Sequence, residues 1–347
     1  MIETKGVKVI GDLHIPKNKV DNDRKNECKF VQCQKFIEWF IKSEHNDSEY
    51  DGVFLGDIFD VYNPDSDSIS LFMYFLMNLK FKHIYIITGN HDRNPSYNIL
   101  DIVKSLDKCT VIDTPTLFKL NDINCLALPH MDSTLENQIG DMFDYYNEYL
   151  KTINSDEINF VFHHLETDES HFGEKYVDLT KFRNNPKCFI VGGHVHSETV
   201  SNGGGYLGSV VMNSSSEKND TKYIGHILYE DCSYTPIKIP KFMKYVDLIY
   251  PNETEINNKN DVDDEIPIVF SVSNAPTKKE AEDFYNKLYE SKLSNFCYRR
   301  ITTSLIEELE NNNEEESSIN TENYIHTYCV ENNISNSIES KIMEIVN

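Results

Sequence analysis

The 347-residue chain has no Cys-x-x-Cys pair, although it carries eight cysteines, at positions 28, 33, 109, 125, 188, 232, 297 and 329. Scattered thiols of this kind exclude a zinc ribbon and argue against a disulfide framework, so reduced thiols are expected. No apolar run reaches the roughly 18 residues of a membrane span. The opening "MIETKGVKVIGD" enters a strand-like run without a signal-peptide apolar region. Together these absences predict a soluble, cytoplasmic protein. Positive charge is also scarce: 33 Lys and Arg face 57 Asp and Glu, a net charge of −24. That balance argues against a passive electrostatic grip on nucleic acid. Alanine occurs only three times, against abundant Asn, Ile and Lys. This is the coding bias of an AT-rich genome such as a phage or virus carries, and it says nothing of function.

What is present is globular: 39% hydrophobic residues and 12% aromatics, in a chain long enough for more than one domain. Short β-rich runs alternate with helical patterns through the first two thirds. "VKVIGD", "YDGVFLGD", "HIYIITGN", "INFVFHH" and "CFIVGGH" read as strands. Phe30, Cys33, Ile37, Phe40 and Ile41 recur at helical spacing, and "ISLFMYFLMNLK" reads as an apolar helix. The pattern predicts a layered α/β (α+β) fold. After residue 232 the style changes. "EIPIVFSVS" reads as a strand, and a helix follows, opened by a Thr277…Glu280 capping box and carrying an apolar stripe of Ala281, Phe284, Tyr285 and Leu288. Residues 301–321 are an acidic linker by composition. Residues 322–347 regain helical spacing. Residues 301–347 hold ten glutamates and one lysine, so −9 of the −24 lies there.

Five polar clusters stand immediately after strand ends: Asp12-x-His14; Gly56-Asp57-x-x-Asp60; Gly89-Asn90-His91-Asp92; His163-His164; and Gly193-His194-x-His196. Any one of them fits an ordinary turn or a pair of surface histidines. Five in order, at the edge where open α/β sheets bind ligands, converge on one site. Mixed His, Asp and Asn ligands suit borderline divalent ions such as manganese, iron or zinc. A bridging carboxylate can hold two such ions about 4 Å apart and clamp a phosphate during in-line displacement. "FLGDIFDVYNPDSD" holds four aspartates. One, Asp57, fits a cation-bridging role, whereas Asp65 and Asp67 suit the start of the following helix, where carboxylates favour the dipole.

The order D-x-H, G-D-x-x-D, G-N-H-D, H, G-H-x-H resembles the calcineurin-like metallophosphoesterases over about residues 7–230. The resemblance implies a β-sandwich flanked by helices, with two divalent ions on one edge. It makes Asp12, His14 and His196 ligands of one ion, Asp57 the bridge, and Asn90, His194 and a histidine of "FVFHHLE" ligands of the other. Tailed-phage relatives favour His164 for that last ligand, with Glu166 as the following acid; strand-end geometry alone would allow His163. His91 resembles the family's catalytic, non-ligand histidine, which steadies or protonates the leaving oxygen. Asp60 and Asp92 would support the site from behind the ligands.

Within the superfamily, "GDIFDVYNP" and the Tyr206-Leu207-Gly208-Ser209 turn resemble SbcD-type recombination nucleases. "YTPIKIPKFMKYVDL" sits where those enzymes leave the catalytic domain for a cap. The implied organisation is a nuclease domain at 1–232, a small α/β capping domain at 233–300, the linker at 301–321 and a helical partner-binding segment at 322–347. The implied activity is exonuclease on duplex ends and endonuclease on single strands, in DNA repair and recombination. The implied cofactors are two divalent ions, manganese first, with Fe2+, Zn2+ or Mg2+ as alternatives. The implied partners are DNA and an SbcC-type coiled-coil ATPase docked by the C-terminal helices, with a homodimer compatible and no membrane. DNA-contacting residues are not identified; Lys17, Lys19, Arg93, Lys278, Lys279, Arg299 and Arg300 are candidates that fit ordinary solvated charges equally well. The rival expectation is a stand-alone phosphoesterase acting on phosphoproteins or nucleotides.

Overall fold

The computed structural model describes residues 4–18, 24–94, 97–131, 140–170, 175–201, 203–249, 268–275, 279–280, 283–284 and 297–303. The anticipated segment at 322–347, the linker beyond residue 303, and Lys19, Thr277, Lys278, Ala281, Tyr285 and Leu288 lie outside the described residues.

In chain order, β1 (Gly6–Ile10) leads to α1 (Arg24–Lys42), β2 (Tyr50–Phe54) to α2 (Ser66–Asn78), and β3 (Ile84–Ile87) to a hairpin of β4 (Arg93–Asn94) and β5 (Tyr97–Asn98). There follow β6 (Cys109–Ile112), β7 (Thr116–Leu120), β8 (Ile123–Leu128), α3 (Met142–Lys151), β9 (Phe160–His163), α4 (Thr180–Arg183), β10 (Phe189–Gly192) and β11 (Gly204–Tyr206). Next come β12 (Tyr223–Leu228), β13 (Tyr234–Lys238), β14 (Lys244–Ile249), β15 (Ile268–Ala275) and β16 (Cys297–Thr303). One sheet has the order β13-β12-β1-β2-β3-β6, and a second the order β11-β10-β9-β8-β7. Pairing from β1 through β2 and β3 to β6 is parallel, as it is from β8 through β9 and β10 to β11.

Strand alternation sorts the apolar side chains into three layers of contact. Val7, Val9, Val53, Cys125, Ala127, Phe160, Phe162 and Val191 pack together between the two sheets. Their sequence neighbours point the other way. Ile10, Phe54, Ile84 and Ile86 pack with Phe36 and Phe40 of α1 and Phe72 and Phe75 of α2. Leu126, Leu128, Val161 and Ile190 pack with Met142, Tyr146 and Leu150 of α3 and Phe182 of α4. Helices thus cover the outer face of each sheet. This is why the parallel strands read as near-continuous apolar runs, and it is the flanked β-sandwich expected from sequence.

The first compact unit comprises Met1–Val246, Val262–Val269 and Ser294–Tyr298, and β13 is an edge strand of its larger sheet. Separately, β14, β15 and β16 form a three-stranded sheet in that order. Residues 279–280 and 283–284 are helical, with Phe284 buried. Cys33, Cys109, Cys125, Cys188 and Cys232 are free thiols, the first four of them buried. No described helix is long and apolar enough to cross a membrane.

Asp65 is the N-cap of α2: its carboxylate accepts from Ser68 N at 2.9 Å, and its other oxygen accepts from Asn18 N at 2.8 Å. The second bond ties the helix to the loop that follows β1. Asp65→Ala is therefore expected to destabilise the protein by about 1–2 kcal/mol, the upper part of the range for loss of a cap. A shift in the urea midpoint at unchanged slope would register it.

Candidate metal centre

The clusters after β1, β2 and β3 belong to one sheet and those after β9 and β10 to the other, yet their side chains meet. The join is made by backbone as much as by side chain. Asp57 O accepts from Leu13 N at 3.1 Å and His14 N at 2.9 Å, and Asp12 O accepts from Val210 N at 3.1 Å. His14, Asp57 and His194 all adopt left-handed backbone, with φ of 45°, 46° and 81°. Each such residue costs on the order of 1–3 kcal/mol and persists where its surroundings fix it. Two glycines make the approach possible. A Cβ on Gly89 would sit 2.2 Å from Asp57 Oδ1, and one on Gly193 would sit 2.4 Å from Asp12 Oδ1.

Among the described residues three groups of potential ligand atoms result, one of them His14, Asp60 and His91; the other two are the ligand sets expected from sequence. Those of Asp12, His14 and His196 lie within 4.8 Å of one another, as do those of Asp57, His164 and His194. Asn90 Oδ1 is 3.0 Å from both His164 Nε2 and His194 Nδ1, which places it in the second set. Asp57 Oδ2 faces both sets, 3.5 Å from His14 Nε2 and 3.3 Å from His164 Nε2. His163 stays outside. It is buried with its ring against Tyr206, and a Cβ on Gly192 would meet that ring at 2.2 Å.

Hydrogen-bond partners fix which nitrogens carry protons. His164 Nδ1 lies 2.8 Å from Leu55 O, a pure acceptor, so Nδ1 holds a hydrogen and Nε2 is the nitrogen that faces Asn90 and Asp57. His196 Nδ1 is 3.3 Å from Glu217 Oε1, whereas His14 Nδ1 is buried without a hydrogen-bond partner, its contact with Asp60 Oδ1 at 3.4 Å being an ion-pair distance only. Their Nε2 atoms are nevertheless only 3.0 Å apart. Asp12 Oδ1 is fully buried with no hydrogen-bond partner. A buried carboxylate oxygen without a partner, beside two imidazole nitrogens that can each offer a lone pair, is unfavourable unless a positive charge is shared among them. The residues present therefore fit two divalent cations of the borderline class.

Among protein groups alone the charges are strongly perturbed. Burial works against the Asp57 anion, but His164, then His14 and His91, hold it well below the usual carboxylate range. Burial raises Asp12. Burial also works against protonation of His164, yet Asp57 and Asp12 bring it up to about 9. Burial and the neighbouring His164 push His194 down to about 3, leaving it a neutral donor of a lone pair.

His91 and Asp60 belong, with His14, to the third of these groups, and Asp92 to none of the three. His91 N donates to Asp57 Oδ1 at 2.8 Å, and its Nδ1 donates to Asp60 O at 2.7 Å. Its ring lies edge-on to His14, with centroids 5.0 Å apart. Asp60 contributes its carbonyl to His91 and its carboxylate to His14. Asp92 is fully buried and accepts from Ile58 N (2.9 Å), Phe59 N (3.2 Å) and Gly89 N (3.0 Å), clasping the second and third clusters together. Burial, then the Asp57 charge, pushes its carboxyl up to about 7.

Further groups surround the ligand sets, of which Glu217 and His130 carry no motif of their own. Glu217, in a short 3-10 turn (Ser215–Glu217), stands behind His196. Glu166 lies 3.6 Å from His194 Nε2. Tyr206 OH donates to Leu165 O at 3.0 Å and accepts from Thr167 N at 2.9 Å, shaping the turn after His164. His130, just past β8, donates its N–H to Thr88 O at 2.9 Å, a further strand-end histidine that sequence reasoning passed over. A His two residues beyond the apolar "CLAL" was its only signal. Of the proposed basic contacts, Lys17 and Arg93 are half-buried beside the first and third clusters.

Residues 6–198 match the family described as calcineurin-like phosphoesterase. No curated protein sequence matches the chain. Among solved structures, an archaeal phosphodiesterase is 15% identical, covers 67% of this chain and 99% of its own, and superposes with a TM-score of 0.35. A protein of unknown function from Aquifex aeolicus is 14% identical, covers 54% and 88%, and has a TM-score of 0.29. At that level of similarity neither structure bears on the activity of this chain.

Asp92→Ala leaves three buried N–H groups without an acceptor. A loss of about 3 kcal/mol or more is expected, at roughly 1–3 kcal/mol per orphaned group. Asp92→Asn, which keeps acceptor oxygen, should lose less. Equal urea midpoints for Asp92→Ala and the parent would refute the clasp.

Proposed function

Since the chain belongs to the calcineurin-like phosphoesterases, we propose that it is a two-metal phosphodiesterase acting on DNA, in repair or recombination, with a coiled-coil ATPase as partner. The observation that carries this reading is Asp57 Oδ2, shared between two ligand sets at 3.5 and 3.3 Å. In it Asp12, His14 and His196 hold one cation, Asn90, His164 and His194 the other, and Asp57 both. His163 has no part in either set. Manganese is the favoured ion, with iron, zinc and magnesium as alternatives. Bound ions would supply Lewis acidity toward the phosphoryl oxygens and the activation of water.

The chain's own groups supply the rest. With Nδ1–H committed to the Asp60 carbonyl, His91 has Nε2 as the nitrogen able to pass a proton to the leaving oxygen. The Asp57–His91 backbone bond keeps that ring in register with the bridging carboxylate. DNA as substrate is supported by the resemblance of "GDIFDVYNP" and of the Tyr206–Ser209 turn to recombination nucleases. A net charge of −24 leaves little for gripping duplex, which suits an enzyme that receives DNA from a partner. The partner contact is assigned to segment 322–347, whose apolar spacing fits a helix laid in a groove. The alternative is a stand-alone phosphoesterase on phosphoproteins or nucleotides.

With manganese, purified protein is expected to cut single-stranded DNA, and chelation by EDTA to abolish cutting. Turnover of p-nitrophenyl phosphate without any DNA cleavage would instead establish the alternative. His91→Ala should lower kcat by about 10²–10⁴-fold, the usual contribution of a proton-transfer group, while metal content stays at two per chain. His164→Asn should drop manganese from two to one per chain by elemental analysis, whereas His163→Asn should lower stability and keep both. Loss of an ion from His163→Asn alone would reverse the choice between the two histidines.

A further inference from the structure

Behind the first ligand set lies a buried ion pair that the proposed chemistry does not use. Glu217 is 4% exposed and Lys222 8% exposed, with Oε2 and Nζ 2.6 Å apart. Burying two charges is costly, and a pair like this contributes little net stability compared with apolar residues of similar size. What distinguishes this pair is where its remaining bonds go. Glu217 Oε1 accepts from the His196 ring at Nδ1, 3.3 Å away. Lys222 Nζ donates to the His196 backbone carbonyl at 3.0 Å. One ion pair thus grips the same histidine at both ends, ring and main chain.

The grip is itself braced. Glu217 also accepts from Ser214 N at 3.1 Å and Asn213 N at 3.3 Å, and Lys222 also donates to Ser209 Oγ at 3.0 Å. Ser209 N returns to His196 O at 3.1 Å. The geometry points to Glu217 and Lys222 as positioning residues. Glu217 holds the His196 tautomer that leaves the Nε2 lone pair facing His14, and Lys222 fixes the turn from which the ring projects. No equivalent buried carboxylate backs His194 among the described residues, since Glu166 lies at 3.6 Å and is about one-third exposed. The device therefore acts on the first cation position only. This inference rests on the two-metal reading.

Calorimetric titration of the metal-free full chain with Mn2+ separates this role from a structural one. The parent is expected to bind two ions. Glu217→Ala should weaken one binding step by about 10–100-fold, the usual effect of removing a carboxylate behind a ligand histidine, and leave the other unchanged. Glu217→Gln, whose side-chain oxygen can still accept from Nδ1, should recover much of that loss. Lys222→Met should give an intermediate loss on the same step. Melting of the metal-free variants reads stability independently. A lowered melting temperature with both binding steps unchanged in Glu217→Ala would overturn the inference and leave the two-metal reading intact. A parent that binds no manganese would overturn both.

Discussion

Everything at the strand edge is referred to Asp57. Its carbonyl fixes the turn that presents Asp12 and His14, one carboxylate oxygen fixes the backbone of His91, and the other faces His14 and His164. Main chain and side chain of a single residue thus index three clusters to one another. Asp57 makes these contacts from a left-handed backbone conformation. Burial of the anion would be prohibitive in an apolar surrounding. Here three histidines hold it ionised, and divalent cations are its natural counter-charge.

The sandwich is what allows such a residue to exist. Parallel strands β1, β2 and β3 end on the same edge, and β9 and β10 bring the second sheet's ends alongside. Each sheet is apolar on both faces, so the polar loops can be crowded at the rim without competing with the core. Glycine at 89 and 193 then lets two main chains pass within contact distance of Asp57 and Asp12. A rigid double sheet with small residues at the crossing points positions donors more closely than mobile loops could.

Charge is distributed to match. The first ligand set has Asp12 and the shared Asp57, with Asp60 and Glu217 behind it; the second has Asp57 as its one carboxylate, with Asn90, His164 and His194. Lys222 keeps the added Glu217 charge from accumulating unbalanced behind His196. Burial works against the Glu217 anion, yet His196 and Lys222 hold its carboxyl down at about 2. An acid-rich chain is compatible with a phosphate-directed site because local charge, and not the total of −24, decides what a buried centre attracts.

How much of this was legible in the sequence depends on how each residue is addressed. Asp12, His14, Asp57, Asn90, His194 and His196 stand next to strand ends, so a near-continuous apolar run followed by a polar residue announces them. The layers were legible for the same reason, because Val7 and Ile10 differ in face by parity alone. The His163–His164 pair was not resolvable, since parity at a strand end does not say where the chain turns. That turn depends on Tyr206, forty-two residues after His164, holding Leu165 and Thr167. Glu217 was invisible on different grounds. It follows a serine-rich run that reads as solvated loop, and its burial depends on Lys222 and on a main-chain carbonyl that no pattern of side chains encodes. Ligands are written locally because metal chemistry restricts them to a few residue types. The groups that aim the ligands can come from anywhere the fold brings a carboxylate within reach, so only the folded chain identifies them.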